Sequence, residues 1–256
     1  MTNQDVLRIA MAQSAEDIGC GAEAFLSDQS SVVPLSLGAN AKKYYKLPIG
    51  CIFISYGNNV VAAAAAELLD AVKAYVGRYE FCHCFETPNM HWLNGELAPF
   101  GQTVCFMAEY FLPDLNSLTR LPCRYALRLL EKPDLEDLYL PAWSNALCRD
   151  RKHLDMLGVG AYDGGKLIGL AGCSADGEEM WQIGVDVLPE YRKKGIASAV
   201  TSTLAAEILE RGKVPFYCAA WSNIRSVRNA LKSGFLPAWV EMTVKPTEVV
   251  KEINNA

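Results

Sequence analysis

The chain has 256 residues, of which 51% are hydrophobic and 21% are charged, and this composition indicates a folded globular protein and excludes a disordered one. Its net charge of −5 argues against a nucleic-acid-binding protein, which usually carries a basic face. The length allows one large domain or two small ones, each with its own core.

The sequence shows no pattern typical of a membrane-spanning helix or a secretory signal. The longest apolar run, residues 60–66, is too short to cross a bilayer. The first residues lack the basic and apolar regions of a secretory signal. Nine cysteines, an odd number, then predict reduced thiols rather than a disulfide framework. We therefore expect a cytoplasmic protein with no membrane and no nucleic-acid partner.

The first 120 residues show alternating helical and strand patterns with no recognisable motif. In chain order we predict a helix at 5–15, a loop at 28–41, a hairpin of strands 51–55 and 60–64, a helix at 67–76, a helix at 90–97 and a strand at 104–111. The five alanines at 62–66 could instead begin the helix, because alanine is the best helix former.

A cysteine–histidine cluster, Cys82-His83-Cys84 with His91 nearby, raises the question of a zinc site. This spacing lacks the paired ligands of structural zinc sites. We predict instead that Cys82 and Cys84 share one face of a strand, where they act as small core hydrophobes, and that no metal is bound.

The second half begins after residues 113–122, a polar segment with two prolines that we take as a linker between domains 1–120 and 121–256. In chain order we predict a strand at 125–130, a helix start at 133–138, a hairpin of 159–162 and 166–173, a strand at 180–187, a helix from 196 that Gly212 ends, a strand at 214–220 and a helix from 224 that Gly234 ends. A generic α/β domain with a mixed sheet would have the same pattern.

Residues 192–197, with the sequence R-K-K-G-I-A, join a strand-like run to an amphipathic helix. Gly195 allows backbone N–H groups to turn inward, and the helix N-terminus and basic side chains add positive charge. The segment therefore predicts a pyrophosphate cradle. Taken alone, a strand, a basic turn and a helix more often form a solvated loop.

The surrounding motifs favour the cradle. The run V-x-P-x-Y-R at 187–192 leads into R-x-x-G-x-A, and a second strand is followed by Asn223, a short helix and Gly234-Phe235. This combination resembles the GNAT superfamily of N-acetyltransferases, in particular a bacterial two-domain subset. The resemblance implies an α/β (α+β) fold with a GNAT-type mixed central sheet flanked by helices, and a second, smaller N-terminal α/β domain.

The resemblance also implies acetyl-CoA as cosubstrate. Main-chain groups of Val185 and Val187 would pair with the pantetheine arm, and Asn223 would contact it or cap its helix; Ser226 is a further candidate. The residues expected at the pyrophosphate are Arg192, Lys193, Lys194, Gly195, Ile196, Ala197 and Ser198.

The catalytic groups depart from the family pattern. A glutamate expected early in the central strand is replaced by Trp181 or Gln182, and a tyrosine expected four residues before Gly234 is replaced by Ala230. Asp186, the one carboxylate inside that strand, is the candidate base, or else a partner for an arginine or a backbone amide.

Further candidates for proton transfer are Glu178 and Glu179 through water, or Tyr217 and Cys218. Trp143 and Trp239 could wall the acceptor cleft with Glu241 as countercharge, although packing of both indoles in the core fits as well.

We thus predict an N-acetyltransferase that moves an acetyl group from acetyl-CoA to a primary amine of a small molecule or peptide by direct attack. A CoA-binding sensor or structural module with weak catalysis is the alternative, followed by an α/β protein with no nucleotide-like ligand. A homodimer is one option that the sequence leaves open.

Overall fold

The computed structural model describes residues 1–45 and 48–255, which form two compact units. The C-terminal unit contains residues 1–9 and 111–237, and the N-terminal unit contains residues 10–110 and 238–256. Within the described residues no helix is both long and apolar enough to span a membrane.

Helices and strands alternate along the chain. The helices are α1 (Asn3–Ile18), α2 (Leu69–Arg78), α3 (Thr87–Leu97), α4 (Ile196–Glu210), α5 (Ile224–Lys232) and α6 (Thr247–Asn255). The strands are β1 (Ser31–Pro34), β2 (Cys51–Ser55), β3 (Val61–Ala64), β4 (Gln102–Pro113), β5 (Ala126–Glu131), β6 (Asp155–Asp163), β7 (Lys166–Ser174), β8 (Met180–Val187), β9 (Val214–Ala219) and β10 (Phe235–Pro246).

The C-terminal unit is built on a mixed sheet of strand order β9-β8-β7-β6-β5. Only the β8–β9 pair is parallel in this series. Helix α4 buries one apolar face, Ile196, Val200, Leu204 and Ile208, in a core shared with side chains of β6, β7 and β8. Each such buried aliphatic side chain contributes about 1.5–3 kcal/mol relative to an exposed one.

In the N-terminal unit the strands lie in the order β1-β3-β2-β10. Strands β2 and β3 form the predicted hairpin, in which Ile54 pairs with Val61, so the alanines at 62–64 belong to a strand and not to a helix. Helix α2 packs Val72, Tyr75 and Val76 against this sheet. The mixed α/β class predicted from the sequence is confirmed.

The division of the chain differs from the predicted boundary at 120/121. Strand β10 starts in the C-terminal unit, but its residues from Val240 to Val244 pair with β2 of the N-terminal unit, so the end of the chain belongs there. At the other terminus the side chain of Asn3 bonds the carboxylate of Asp114 and the amide of Leu115, which holds the first residues in the C-terminal unit. Ala256, the end of the predicted second domain, lies outside the described residues.

Two local predictions were wrong and a third is refined. The loop predicted at 28–41 contains strand β1, which pairs in parallel with β3. The helix start predicted at 133–138 is present, and it is a 3₁₀ helix, Lys132–Leu138, that begins with a capping box between Glu131 and Asp134. The strand expected around Cys82 and Cys84 is the 3₁₀ helix Phe81–Phe85, so that the two thiols face different ways: Cys84 is buried and Cys82 is exposed.

Candidate functional site

The central strand of the C-terminal unit has a free edge beside β9. Strands β8 and β9 pair in parallel only over Met180–Gln182, and within residues 48–255 the pairing stops at Gln182 and Phe216 while β8 continues to Val187. The amide of Leu188 donates to the carbonyl of Ile168 on β7, so the main chain of Val187 and Val185, one and three residues earlier, faces the opposite side. These are the two residues predicted to meet a pantetheine chain.

Immediately after this strand the chain presents a run of unbonded amides. Among the described residues, no hydrogen bond to a protein acceptor is found for the backbone N–H groups of 193–198, and the first bonded amide is that of Ala199, which donates to the Gly195 carbonyl at 3.1 Å. The loop residues before Ile196 are exposed. Six consecutive N–H groups at a helix N-terminus form an anion-binding surface.

Two residues with positive φ turn the backbone of the loop that carries the amides of 193–198. Lys193 has φ 62°, the only positive value at a non-glycine residue among residues 1–45 and 48–255, and Gly195 has φ 80°. A lysine in the left-handed region costs on the order of 1–2 kcal/mol. A Cβ on Gly195 would meet no heavy atom within 4 Å, so the space on that side of the loop is open. Alternation of ordinary and left-handed residues makes a concave nest of N–H groups.

The basic side chains are held beside the loop by contacts of their own. Arg192 donates from Nε to the carbonyl of Val187 at 3.0 Å, and Lys194 donates from Nζ to the carbonyl of Glu190 at 3.0 Å. The Lys194 ammonium also lies 4.8 Å from the centre of the Tyr191 ring. Each bond uses only one donor of its side chain, so positive charge remains available next to the amides.

Two further predicted residues lie at the start of α5. The Asn223 side chain accepts a hydrogen bond from the amide of Ser226 at 3.2 Å, so it is the N-cap of this helix. Its amide NH₂ remains exposed beyond the cap. The hydroxyl of Ser226 bonds that of Tyr217 at 2.8 Å, which ties the side chain of Ser226 to the core.

The carboxylate of Asp186, the candidate base, already accepts hydrogen bonds from other groups of the protein. Its carboxylate accepts from the main-chain amides of Asn145 and Ala146, at 2.8 and 2.9 Å, and from the side-chain amide of Asn145 at 2.7 Å. Three such bonds occupy most of the acceptor sites of the carboxylate and hold it against this segment. The geometry therefore assigns Asp186 the second role considered above, that of a partner for backbone amides.

Two glycines that the sequence analysis did not identify leave room for the segment 145–146 to pack on the sheet. Gly184 of β8 and Gly172 of β7 are cross-strand partners. A Cβ on Gly184 would lie 1.8 Å from the Asn145 carbonyl oxygen, and one on Gly172 would lie 2.2 Å from the carbonyl oxygen of Ala146. Only glycine allows the chain at 145–146 to rest directly on the sheet. The signal was present as glycines inside two predicted strands, yet the segment that they contact lies 26 residues before Gly172 and 39 residues before Gly184.

The other proton-transfer candidates are also engaged or buried. Glu179 forms an ion pair with Lys213 at 2.7 Å. Gln182 donates to the Sγ atom of Cys218 at 3.1 Å. Burial raises the pKa of the Tyr217 hydroxyl. Ala230, where the family pattern has tyrosine, is fully buried.

The proposed acceptor-wall residues are core residues of their respective units. Trp143 is buried among the apolar side chains that surround Leu135 in the C-terminal unit. In the N-terminal unit Trp239 stacks on Tyr110, and Glu241 is buried and accepts from the hydroxyl of Tyr45 at 2.5 Å. Core packing of the indoles is thus the observed arrangement.

A mixed sheet with a free central-strand edge, followed by unbonded amides at a helix N-terminus, defines an α/β protein equipped to hold an anionic ligand. The family comparison is more specific: the model for GNAT acetyltransferases matches residues 104–238, more than half of the chain. The chain belongs to the GNAT acetyltransferase family, as its motifs had suggested, and this membership indicates acyl transfer. No curated protein matches the chain.

Several solved structures resemble parts of the chain. A GNAT-family acetyltransferase from Novosphingobium aromaticivorans is 19% identical over 56% of this chain and 66% of its own, with a TM-score of 0.42. A GCN5-related N-acetyltransferase-like protein from Streptococcus suis is 21% identical over 60% of this chain and 66% of its own, with a TM-score of 0.45. A tandem GNAT protein from the clavulanic acid biosynthesis pathway is 14% identical over 58% and 57%, with a TM-score of 0.43. The chain thus spans less than two thirds of each.

Proposed function

We propose that this protein transfers an acetyl group from acetyl-CoA to a primary amine of a small molecule or peptide. The observation that carries the proposal is the run of six unbonded amides at 193–198, because a diphosphate supplies the acceptors that they lack. Family membership supplies the reaction class.

The reaction is a direct attack. The amine nitrogen forms a bond to the thioester carbonyl carbon, the carbon–sulfur bond breaks, the amine proton is lost and the thiolate leaves as a thiol. In this proposal the amides of 193–198 hold the pyrophosphate, with Arg192, Lys193 and Lys194 adding charge. The main-chain edge at Val185 and Val187, where Arg192 already donates to the Val187 carbonyl, pairs with the pantetheine arm, and an amide of this edge stabilises the developing oxyanion. Asn223 contacts the cofactor through its exposed NH₂, whereas Ser226 acts through Tyr217.

A CoA-binding sensor or structural module is the second candidate. It is favoured by two observations: both oxygens of Asp186 are engaged by the segment 145–146, and Ala230 stands at the position of the expected tyrosine. Both candidates use the same amide cradle and differ only in turnover.

Substitution of Gly195 tests the cradle, and the chain offers a matched control. Gly195 is the N-cap of α4 with φ 80°, and Gly212 follows the other end of the helix with φ 75°; at neither glycine would an added Cβ have a heavy atom within 4 Å. Gly195→Val and Gly212→Val therefore introduce similar backbone strain. We expect only Gly195→Val to abolish the calorimetric binding of coenzyme A and the rise in melting temperature. For the unsubstituted protein the stabilisation should reach about 2.7 kcal/mol at a ligand concentration 100 times Kd.

An amine panel with acetyl-CoA then separates the two candidates. Transfer to any primary amine supports the enzyme, whereas tight coenzyme A binding without turnover supports the sensor. Absence of coenzyme A binding by the unsubstituted protein would contradict both.

We also propose a cellular compartment and a set of partners for the protein. No disulfide is found among the described residues, which is usual in the reducing cytoplasm. We therefore place the enzyme in the cytoplasm, with the amine acceptor as its partner, without nucleic acid, membrane or resident catalytic metal, and with a homodimer open to test by sedimentation.

A further inference from the structure

A cluster of metal-ligating side chains lies in the N-terminal unit, between helices α2 and α3. One ligand atom from each of Glu80, Cys82 and His83 lies within 4.8 Å of the other two, and all three residues are exposed. Carboxylate, thiolate and imidazole together form a donor set that zinc accepts and that magnesium and calcium do not favour. We propose that these three side chains bind a zinc ion, which leaves one position of a tetrahedral site for water.

The local helix type explains how the ligands converge. Glu80 caps the 3₁₀ helix Phe81–Phe85 at its start and Glu86 caps it at its end. Residues three apart eclipse one another in a 3₁₀ helix, so Glu80, His83 and Glu86 follow one another along a single face. Cys82 precedes His83 directly and brings the thiol beside that face. In the strand predicted from the sequence, neighbouring side chains would point to opposite sides.

A carboxylate already orients the imidazole. His83 Nδ1 lies 2.9 Å from Glu86 Oε1. A carboxylate bonded to one ring nitrogen leaves the other nitrogen, Nε2, as the metal donor, and it fixes the ring plane. Glu86 is therefore a positioning residue in the proposed site.

The backbone that carries the ligands is anchored on its inner side. The Cys84 carbonyl accepts from the hydroxyl of Tyr75 at 2.7 Å, and the His83 carbonyl accepts from the side-chain amide of Asn89 at 2.8 Å. Cys84 itself is buried in the apolar core of this unit. Because the main chain is held by α2 and α3, ion binding requires adjustment of three exposed side chains and not of the fold. Binding releases the Cys82 thiol proton to solvent as the zinc–sulfur bond forms.

The test uses the full chain, freed of metal with a chelator, and cobalt as a spectroscopic substitute for zinc. We expect one equivalent of Co²⁺ to produce a thiolate-to-metal charge-transfer band that Zn²⁺ removes by competition, and Zn²⁺ to raise the melting temperature. Cys82→Ser should abolish the band and the shift, and His83→Ala should weaken binding strongly. Glu86→Gln should weaken it about 10- to 100-fold.

Matched controls identify the site. His91→Ala removes an exposed histidine of α3, and Cys123→Ser removes a half-buried thiol of the other unit; both should bind like the unsubstituted protein. Circular dichroism verifies that every variant is folded. Absence of the charge-transfer band in the unsubstituted protein, or its retention in Cys82→Ser, would overturn the proposal.

Discussion

The carboxylate of Asp186 holds Asn145 by two of its groups at once, the main-chain amide at 2.8 Å and the side-chain amide at 2.7 Å. Asp186 lies on the central strand, whereas Asn145 follows the 3₁₀ helix Pro141–Trp143. The bond therefore fixes a connecting segment to the strand beside which we place the acetyl group. We infer that a carboxylate bound in this way positions its neighbours.

Substitutions at Asp186 separate these two roles. Asp186→Asn keeps an acceptor for the amides of Asn145 and Ala146, so we expect kcat to stay within about tenfold, whereas a lost general base costs about 10²–10⁴-fold. Asp186→Ala leaves the buried amide of Ala146 unpaired, which costs about 1–3 kcal/mol and should raise the KM of the amine acceptor. Steady-state kinetics and thermal unfolding measure both effects.

One result would contradict the positioning role: the Asp186→Asn variant keeps its melting temperature, but its kcat falls by two orders of magnitude or more. Asp137→Asn, an exposed acid of the Lys132–Leu138 turn, is a control for the loss of one charge.

Gly184 should tolerate no side chain. In Gly184→Ala the new Cβ would lie 1.8 Å from the Asn145 carbonyl oxygen, so the segment 145–146 must leave the sheet. We expect a loss of several kcal/mol in the free energy of unfolding, as for other overpacked core positions. Gly77→Ala in α2, where an added Cβ meets nothing within 4 Å, should instead stabilise by about 0.4–1 kcal/mol. Chemical denaturation compares the two, and equal effects would exclude the close approach.

The buried ion pair of the N-terminal unit should be sensitive to the loss of one partner. Lys42 Nζ lies 2.5 Å from Asp17 Oδ2, and both side chains are at most 1% exposed. Lys42→Met leaves the Asp17 carboxylate buried without its cation, which should cost about 3–5 kcal/mol. The double variant Asp17→Asn/Lys42→Met should lose less than the sum of the single losses. Additive losses in denaturant titrations would show that the two groups do not interact.

Because of Asp155, we expect the free energy of unfolding to decrease as the pH rises from about 4 to about 6. Burial raises the pKa of its carboxyl to about 6, although Tyr139 and the amide of Cys148 both donate to it. The folded protein therefore holds this proton at pH values where the unfolded chain, with an aspartate pKa near 3.9, has released it. The free energy of unfolding contributed by this group decreases as pH rises from about 4 to about 6 and is level above.

Asp155→Asn tests this assignment, because an amide has no proton to release in that range. The variant should show a flatter dependence of the free energy of unfolding on pH between about 4 and 6, measured by urea titration at several pH values. A slope equal to that of the unsubstituted protein would mean that another group is responsible.

Much of the local structure follows from sequence periodicity. The buried face of α4, the hairpin of β2 and β3, and the turn at Gly195 were predicted because each depends on residues within one or two helical turns of one another. The R-x-x-G-x-A motif likewise describes a local event, namely a strand that ends in a loop and begins a helix. The helix α6 and the strand β1 were not predicted.

The sequence by itself determined the family, the loop at residues 192–197 and the order of the elements in the C-terminal half. Only the tertiary structure decided that Asp186 bonds Asn145, that Gly172 and Gly184 accept a distant segment, and that the last residues return to the N-terminal unit. The physical reason is the separation of the partners along the chain. Local propensity fixes how a strand or turn forms. Packing of the whole chain fixes which polar groups meet when about 40 or about 200 residues separate them in sequence.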